Sequence, residues 1–306
     1  MRDSKFITFL KGYSGCTLRL FESGGALLVR KVSKSKAYNQ RLESQMEKQD
    51  EFCRMLQNGK VSAPKVISHG MEDELFYFDM EYVRGRGLAD CIADSDVDGI
   101  AAISEDICSI VSSMKAMPKQ AGASFWDATA SKTEALVSDV KNSPHCAQYA
   151  GLAVQLQSMA LRKKSGGGNV PGTFCHGDLT LENIVCDEKN GKYYLLDFLD
   201  SYYPHYCFDV AKLFQDLEGG WAEFRRKDIE WKNARGKLDA LRARLAGPLV
   251  LSDRFCCENH YFLLALTFAR ILPYAAAGDA GHIAGKARLF LEKAEMGEKP
   301  FGGASP

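Results

Sequence analysis

The sequence predicts an α+β protein in two parts, a small antiparallel-sheet lobe followed by a larger, mostly helical lobe. Three observations carry that expectation. Residues 6–32 hold three short apolar runs separated by glycine-bearing turns, the pattern of antiparallel strands. Beyond residue 88 the apolar residues recur at three- and four-residue spacing, the period of a helix that buries one face. The chain has 306 residues, enough for two lobes and a sizeable core. The lobes are expected at residues 1–83 and 84–306.

In chain order, Phe6–Leu10 reads as the first strand, Thr17–Phe21 as the second and Ala26–Val32 as the third, with Glu22-Ser23-Gly24-Gly25 as a hairpin turn between the last two. The segment between the first two strands contains Gly12, Ser14 and Gly15. By itself it reads equally well as an ordinary hairpin turn or as a backbone cradle for phosphate, because glycine lets backbone N–H groups approach a ligand closely. Residues 37–57 are expected as a helix, with Leu42, Met46, Cys53 and Leu56 along one stripe and Gln49 on the same buried face; Glu43 and Glu47 lie off it as solvated charges. Ser62–Ile67 begins a fourth strand, and Leu75–Val83 forms a fifth before Arg84-Gly85-Arg86-Gly87. Helices are expected over 88–93, 99–117, 130–161 and 221–296, with a flexible connection at Ser165–Asn169. The stretch Asp253–Tyr274 is apolar all round and should cross the core of its lobe. For Trp126, Trp221, Trp231 and Tyr261, core packing is a better reading than a substrate wall.

Composition narrows the function classes. Lys+Arg and Asp+Glu both number 39, giving zero formal net charge, which argues against a broad nucleic-acid-binding surface. The ten cysteines include no Cys-x-x-Cys pair, so neither a zinc site nor a disulfide framework is expected. No apolar stretch reaches membrane-spanning length and the first residues lack the apolar run of a signal peptide. The expectation is a cytoplasmic protein without a membrane partner.

The chemistry concentrates in residues 175–198. Asp178 is followed by Asn183 and then by Asp197. Leu179, Leu181, Ile184 and Val185 bracket the first two groups, and Tyr193–Leu196 reads as a buried strand that delivers Asp197 at its end. Polar groups on tight turns between buried segments suit a metal and phosphate site. Mg²⁺ takes hard oxygen ligands and commonly only one or two protein side chains. Asn183 and Asp197 fit that role, leaving Asp178 to meet a substrate hydroxyl.

The pattern His-Gly-Asp-x-x-x-x-Asn at 176–183, with Leu-Asp-Phe at 196–198, resembles the aminoglycoside phosphotransferase and choline kinase family, a branch of the protein-kinase-like fold. The resemblance implies ATP and Mg²⁺ as cofactors and a small-molecule hydroxyl as acceptor. It implies Asp178 as the catalytic base or hydroxyl-orienting group, Asn183 and Asp197 as metal ligands, and His176 as a structural residue of the loop. It favours the phosphate-covering reading of Gly12, Ser14 and Gly15. A third-strand cation should steady the α- and β-phosphates; Lys31 matches the family pattern better, with Arg30 as the alternative on the opposite face. Gln49 would stand in for the usual helix acid. Glu81 and Val83 would offer backbone groups to adenine, and Met80 would line that pocket. Asp209, in Phe208-Asp209-Val210-Ala211, would start a helix as its cap and brace the catalytic loop. His205 is expected as an exposed loop residue. Gly177, Thr180 and Leu199 depart from the protein-kinase pattern and point to a small-molecule kinase. The acceptor classes implied are a sugar or an amino alcohol such as choline or ethanolamine, with an aminoglycoside kinase or a non-catalytic nucleotide-binding regulator as alternatives.

Overall fold

A computed structural model describes residues 4–10, 12, 15–56, 59–166 and 170–302. Its chain divides into two compact units, Met1–Cys91 with Glu182–Asp200, and Ile92–Leu181 with Ser201–Pro306. The boundary expected after residue 83 lies close to Cys91, and the segment 182–200 joins the first unit.

The first unit is built on β1 (Ser4–Leu10), β2 (Thr17–Ser23), β3 (Ala26–Val32), α1 (Asn39–Met55), β4 (Val61–Ser62), β5 (Val66–Glu72), β6 (Leu75–Glu81) and β7 (Arg86–Gly87). An antiparallel five-stranded sheet runs in the order β1-β2-β3-β6-β5. The single strand expected from residue 62 is split, because Pro64 cannot donate to a ladder. Its first part, β4, pairs in parallel with β9 (Lys192–Leu195), which forms a hairpin with β8 (Ile184–Asp187). The smaller sheet, β4-β9-β8-β7, therefore ties segment 182–200 to the first unit. α1 buries Leu42, Gln45, Met46, Gln49 and Phe52. Leu42 and Met46 pack with Cys16, Phe76 and Phe78, each fully buried Leu or Phe contributing roughly 1.5–3 kcal/mol. Cys53 and Leu56 are only half-buried, so the expected stripe was rotated by one position at its C-terminal end.

The second unit contains α2 (Leu88–Asp94) from its fifth residue onward, α3 (Val97–Lys115), α4 (Phe125–Asn142), α5 (Ala150–Gly166), α6 (Cys207–Leu217), α7 (Trp221–Arg225), α8 (Trp231–Ala246), α9 (Arg254–Ala269) and α10 (Ala277–Glu295). The single helix expected over 130–161 is two, α4 and α5, interrupted after Asn142 where Ser143 precedes Pro144 and takes an extended conformation. Every residue of α9 from Asn259 to Ala269 is buried, as its all-round apolar sequence requires. Trp126, Trp231 and Tyr261 are core residues. No helix among the described residues is long and apolar enough to cross a membrane, and all ten cysteines are free thiols.

His205 corrects an expectation. It is 5% exposed, not an exposed loop residue, because its ring packs edge-on against Phe125 and Phe255 and its Nδ1 accepts the Cys207 N–H at 3.2 Å. Burial pushes its pKa from 6.5 down to about 4, opposed by the nearby Asp253 carboxylate. A neutral buried imidazole must be protonated in the unfolded chain first. Its contribution is therefore complete above pH 6.5 and is lost as pH falls toward 4, on the order of 2–3 kcal/mol. His205→Gln should flatten that part of the stability profile, measured by urea denaturation at pH 7, 5.5 and 4.5. An unchanged slope would assign the acid sensitivity to other groups.

Candidate active site

The candidate catalytic loop of the second unit is held by one face of α6. Asp209 is completely buried. Its Oδ2 accepts the His176 N–H at 2.6 Å and its Oδ1 the Gly177 N–H at 2.7 Å. Two turns further along α6, Asp216 Oδ2 accepts the Leu181 N–H at 2.7 Å. Residues seven apart on a helix share a face, so one helix clamps the loop at both ends. Asp209 thus accepts two N–H groups of the loop and does not cap α6. The helix starts at Cys207, Tyr206 is the residue at its N-cap, and no side chain caps it, because both Asp209 oxygens are committed to the loop. Gly177 adopts φ +89°, the left-handed region open to glycine at no cost. The buried His176 accepts the Asp178 N–H on Nδ1 at 3.2 Å, which orients the residue that carries the candidate base. The Asp178 side chain meets a cation that sequence reading passed over, with Lys212 Nζ 2.9 Å from Asp178 Oδ1.

The first unit carries the candidate phosphate and metal groups. Lys31 is only 2% exposed. Its Nζ donates to Asp197 Oδ1 at 2.7 Å and to Gln45 Oε1 at 3.2 Å. Arg30, the alternative cation, lies on the opposite face of β3. It forks onto Asp79 at 2.8 and 2.9 Å, lies 3.4 Å from Glu72 and stacks on the Tyr77 ring; the hydrogen bond to Asp79 raises its pKa. Strand alternation thus sends one cation inward to Asp197 and the other into a surface ion-pair cluster.

Gln49 does not meet Lys31. Its amide donates to the Pro64 carbonyl at 2.6 Å and approaches Met80 Sδ at 3.6 Å. The amide that faces Lys31 belongs to Gln45, one helical turn earlier, and is itself donated to the Tyr38 hydroxyl at 3.0 Å. The apolar stripe identified the correct face of α1 but not the turn that stands opposite the lysine, which depends on how the helix lies on the sheet.

Asn183 and Asp197 are brought together by the β8–β9 hairpin. Ile184 pairs with Leu195, and the Asn183 carbonyl accepts the Leu196 N–H at 2.9 Å. The two side chains therefore stem from the same end of the hairpin. Asp197 holds φ +58°, which costs a non-glycine residue about 1–2 kcal/mol and is maintained by its flanks. Phe198 is buried against Phe52 with ring centres 5.2 Å apart, and the Leu199 carbonyl accepts from Lys48 Nζ at 2.5 Å. The donor set is one carboxylate and one amide oxygen, and no cluster of three or more His, Cys, Asp or Glu side chains suited to a metal occurs among the described residues. Such a sparse, hard-oxygen pair fits Mg²⁺, which keeps waters and substrate phosphate as its remaining ligands.

The remaining expected residues fall as follows. Gly12 and Gly15 lie between β1 and β2. A Cβ on Gly12 would sit 2.9 Å from Leu18 Cδ1, and Gly15 holds φ +78°; Ser14 lies outside the described residues. Glu81 ends β6, its N–H donating to the Lys65 carbonyl at 3.0 Å, and Tyr82 N–H donates to the Leu27 carbonyl at 3.1 Å. Met80 is half-buried against the α1 cluster, and Val83 follows the strand in extended chain. Gln45, Lys212 and Asp216 were not singled out from sequence. The signal for Lys212 and Asp216 was their helical spacing from Asp209.

A family model described as the phosphotransferase enzyme family matches residues 6–246. Over 102 residues the chain is 24% identical to ethanolamine kinase 2 of Rattus norvegicus, a match covering 30% of this chain and 26% of that protein. Ethanolamine kinase 2 of Mus musculus matches to the same extent, so the chain spans about a quarter of the length of these curated relatives. Among solved structures, it is similar to a thermostable mutant of aminoglycoside phosphotransferase APH(4)-Ia in ternary complex with ADP and hygromycin B, with a TM-score of 0.59, 14% identity, and 93% and 92% of the two chains covered. It is similar also to the microcompartment-associated aminopropanol kinase, with a TM-score of 0.61, 15% identity, and 96% and 92% covered. The fold is protein-kinase-like.

Proposed function

This chain belongs to the phosphotransferase enzyme family, and from that premise we propose that it is a small-molecule kinase that transfers the γ-phosphate of ATP to the hydroxyl of a small amino alcohol. The observation that carries the reading is the pairing of buried Lys31 with the partly exposed Asp197, 2.7 Å apart and joined from positions 166 residues distant in the chain. A buried ammonium beside a carboxylate at a hairpin end is suited to a polyphosphate and its metal.

Each residue then has a role. Lys31 steadies the α- and β-phosphates, and the backbone around Gly12 and Gly15 covers them. In extended chain the Glu81 carbonyl and the Val83 backbone groups face the edge opposite the one on which Tyr82 pairs with Leu27, the Glu81 N–H being taken by the Lys65 carbonyl, and those groups suit adenine. Asn183 and Asp197 hold Mg²⁺, which when bound supplies charge neutralisation at the phosphates. Asp178 accepts a hydrogen bond from the acceptor hydroxyl and takes its proton. Most of the rate enhancement comes from positioning and charge, since a loose phosphoryl-transfer transition state leaves little covalent work to side chains.

The amino-alcohol reading is supported by the names of two similar proteins, ethanolamine kinase 2 and the aminopropanol kinase. An aminoglycoside acceptor is the second reading, supported by the similar APH(4)-Ia structure with hygromycin B. Mass spectrometry of products formed from Mg-ATP with ethanolamine, aminopropanol, choline, simple sugars and hygromycin B separates the two. A phosphate ester of an amino alcohol is expected. Transfer to hygromycin B alone would move the assignment to the second reading, and transfer to sugars alone would remove the amine from the acceptor.

A further inference from the structure

α6 does more to the catalytic loop than clamp its backbone. Asp209, Lys212 and Asp216 follow one another at spacings of three and four residues, so their side chains leave the same face of the helix. The two acids hold backbone N–H groups on either side of Asp178. Lys212, between them, reaches the Asp178 carboxylate itself, with side chains 17% and 26% exposed.

We propose that Lys212 is the positioning residue for Asp178, holding its carboxylate through Oδ1 in the orientation that meets the acceptor hydroxyl. The proposal rests on the assignment of Asp178 to the acceptor hydroxyl and deepens it.

The geometry supports this in three ways. Lysine has three N–H donors. One is directed at Asp178 Oδ1 at 2.9 Å and a second at Gln215 Oε1 at 3.2 Å, and Gln215 is fully buried. The ammonium is thus anchored from its own helix. The charged and titratable groups around the carboxylate are also unequal. His176 accepts the Asp178 N–H on Nδ1, Asp209 accepts two backbone N–H groups, and Asp216 accepts the Leu181 N–H. Lys212, in contrast, stands 2.9 Å from the carboxylate itself. Finally, a lysine so close fixes the direction of the Asp178 carboxylate. That suits a group that orients a hydroxyl while its oxygen bonds to phosphorus and the bond from phosphorus to the bridging oxygen of ADP breaks. The hydroxyl proton passes to the Asp178 carboxylate late in that exchange, after the oxygen has become acidic.

The test uses protein labelled with ¹³C at the aspartate carboxyl, with Asp178→Asn identifying the Asp178 resonance. Lys212→Met should raise the pH at which Asp178 titrates by about one unit, and Lys212→Arg should restore most of it. With the acceptor identified by product analysis, or water if none is found, Lys212→Met should lower kcat by about 30-fold with KM for ATP within about twofold, and Lys212→Arg should recover part of the loss. An Asp178 resonance that titrates at the same pH in wild type and Lys212→Met overturns the proposal, whether or not kcat falls, because a merely structural lysine would leave it unmoved. The parent assignment fails separately, through Asp178→Asn retaining turnover. An inert Asp178→Asn beside a fully active Lys212→Met would overturn the role of Lys212 alone.

Discussion

Asp178→Asn should lower turnover by about 1,000-fold while leaving Mg-nucleotide affinity within about twofold. The amide is nearly the same shape as the carboxylate, so the loop contacts from Asp209 and Asp216 persist. What is lost is an oxygen able to take the hydroxyl proton and the anionic partner of Lys212. The amide can still accept a hydrogen bond from the acceptor, so residual transfer from positioning is expected. Titration with Mg-AMP-PNP measures binding, and phosphate-ester formation measures turnover. A variant keeping more than about a tenth of wild-type turnover would remove Asp178 from the chemistry.

Asp209→Ala should be the most damaging single change to stability. It strips the acceptor from the His176 and Gly177 N–H groups in a fully buried position. Each buried donor left unsatisfied costs about 1–3 kcal/mol, so the expected loss is roughly 3–5 kcal/mol, accompanied by loss of turnover as the loop releases Asp178. Asp209→Asn separates the two oxygens. One acceptor survives, while the new NH₂ group points at the other N–H, so an intermediate loss is expected. Guanidinium denaturation reads both. A cost below about 1 kcal/mol for the alanine variant would mean that other contacts hold the loop.

Much of this molecule was legible along the chain. Alternating apolar residues located the strands of the first sheet, and three- and four-residue spacing located the helices, because those periods follow directly from backbone geometry. The break between α4 and α5 was also written in Ser143-Pro144, but continuous apolar spacing on both sides concealed it. The order Asp178, Asn183, Asp197 marked the candidate chemistry because hydrophobic brackets leave such groups no other way to sit on tight turns.

Periodicity names a face, however, and not the group that stands opposite it. The face of α1 was readable, yet only the lie of the helix on the sheet decided that Gln45 and not Gln49 meets Lys31. His205 looked like a polar loop residue because no local pattern records the aromatic rings of α4 and α9 that close over it. The sequence by itself determined the α+β architecture, the buried face of its regular elements and the spacing of the candidate catalytic groups, all properties of neighbouring residues. Tertiary structure alone decided that Lys31 pairs with Asp197, that Arg30 is drawn to Asp79, and that α6 delivers Lys212 to Asp178. Those pairings join residues 34 to 166 positions apart, where short-range geometry carries no information and only the packing of whole elements selects the partner.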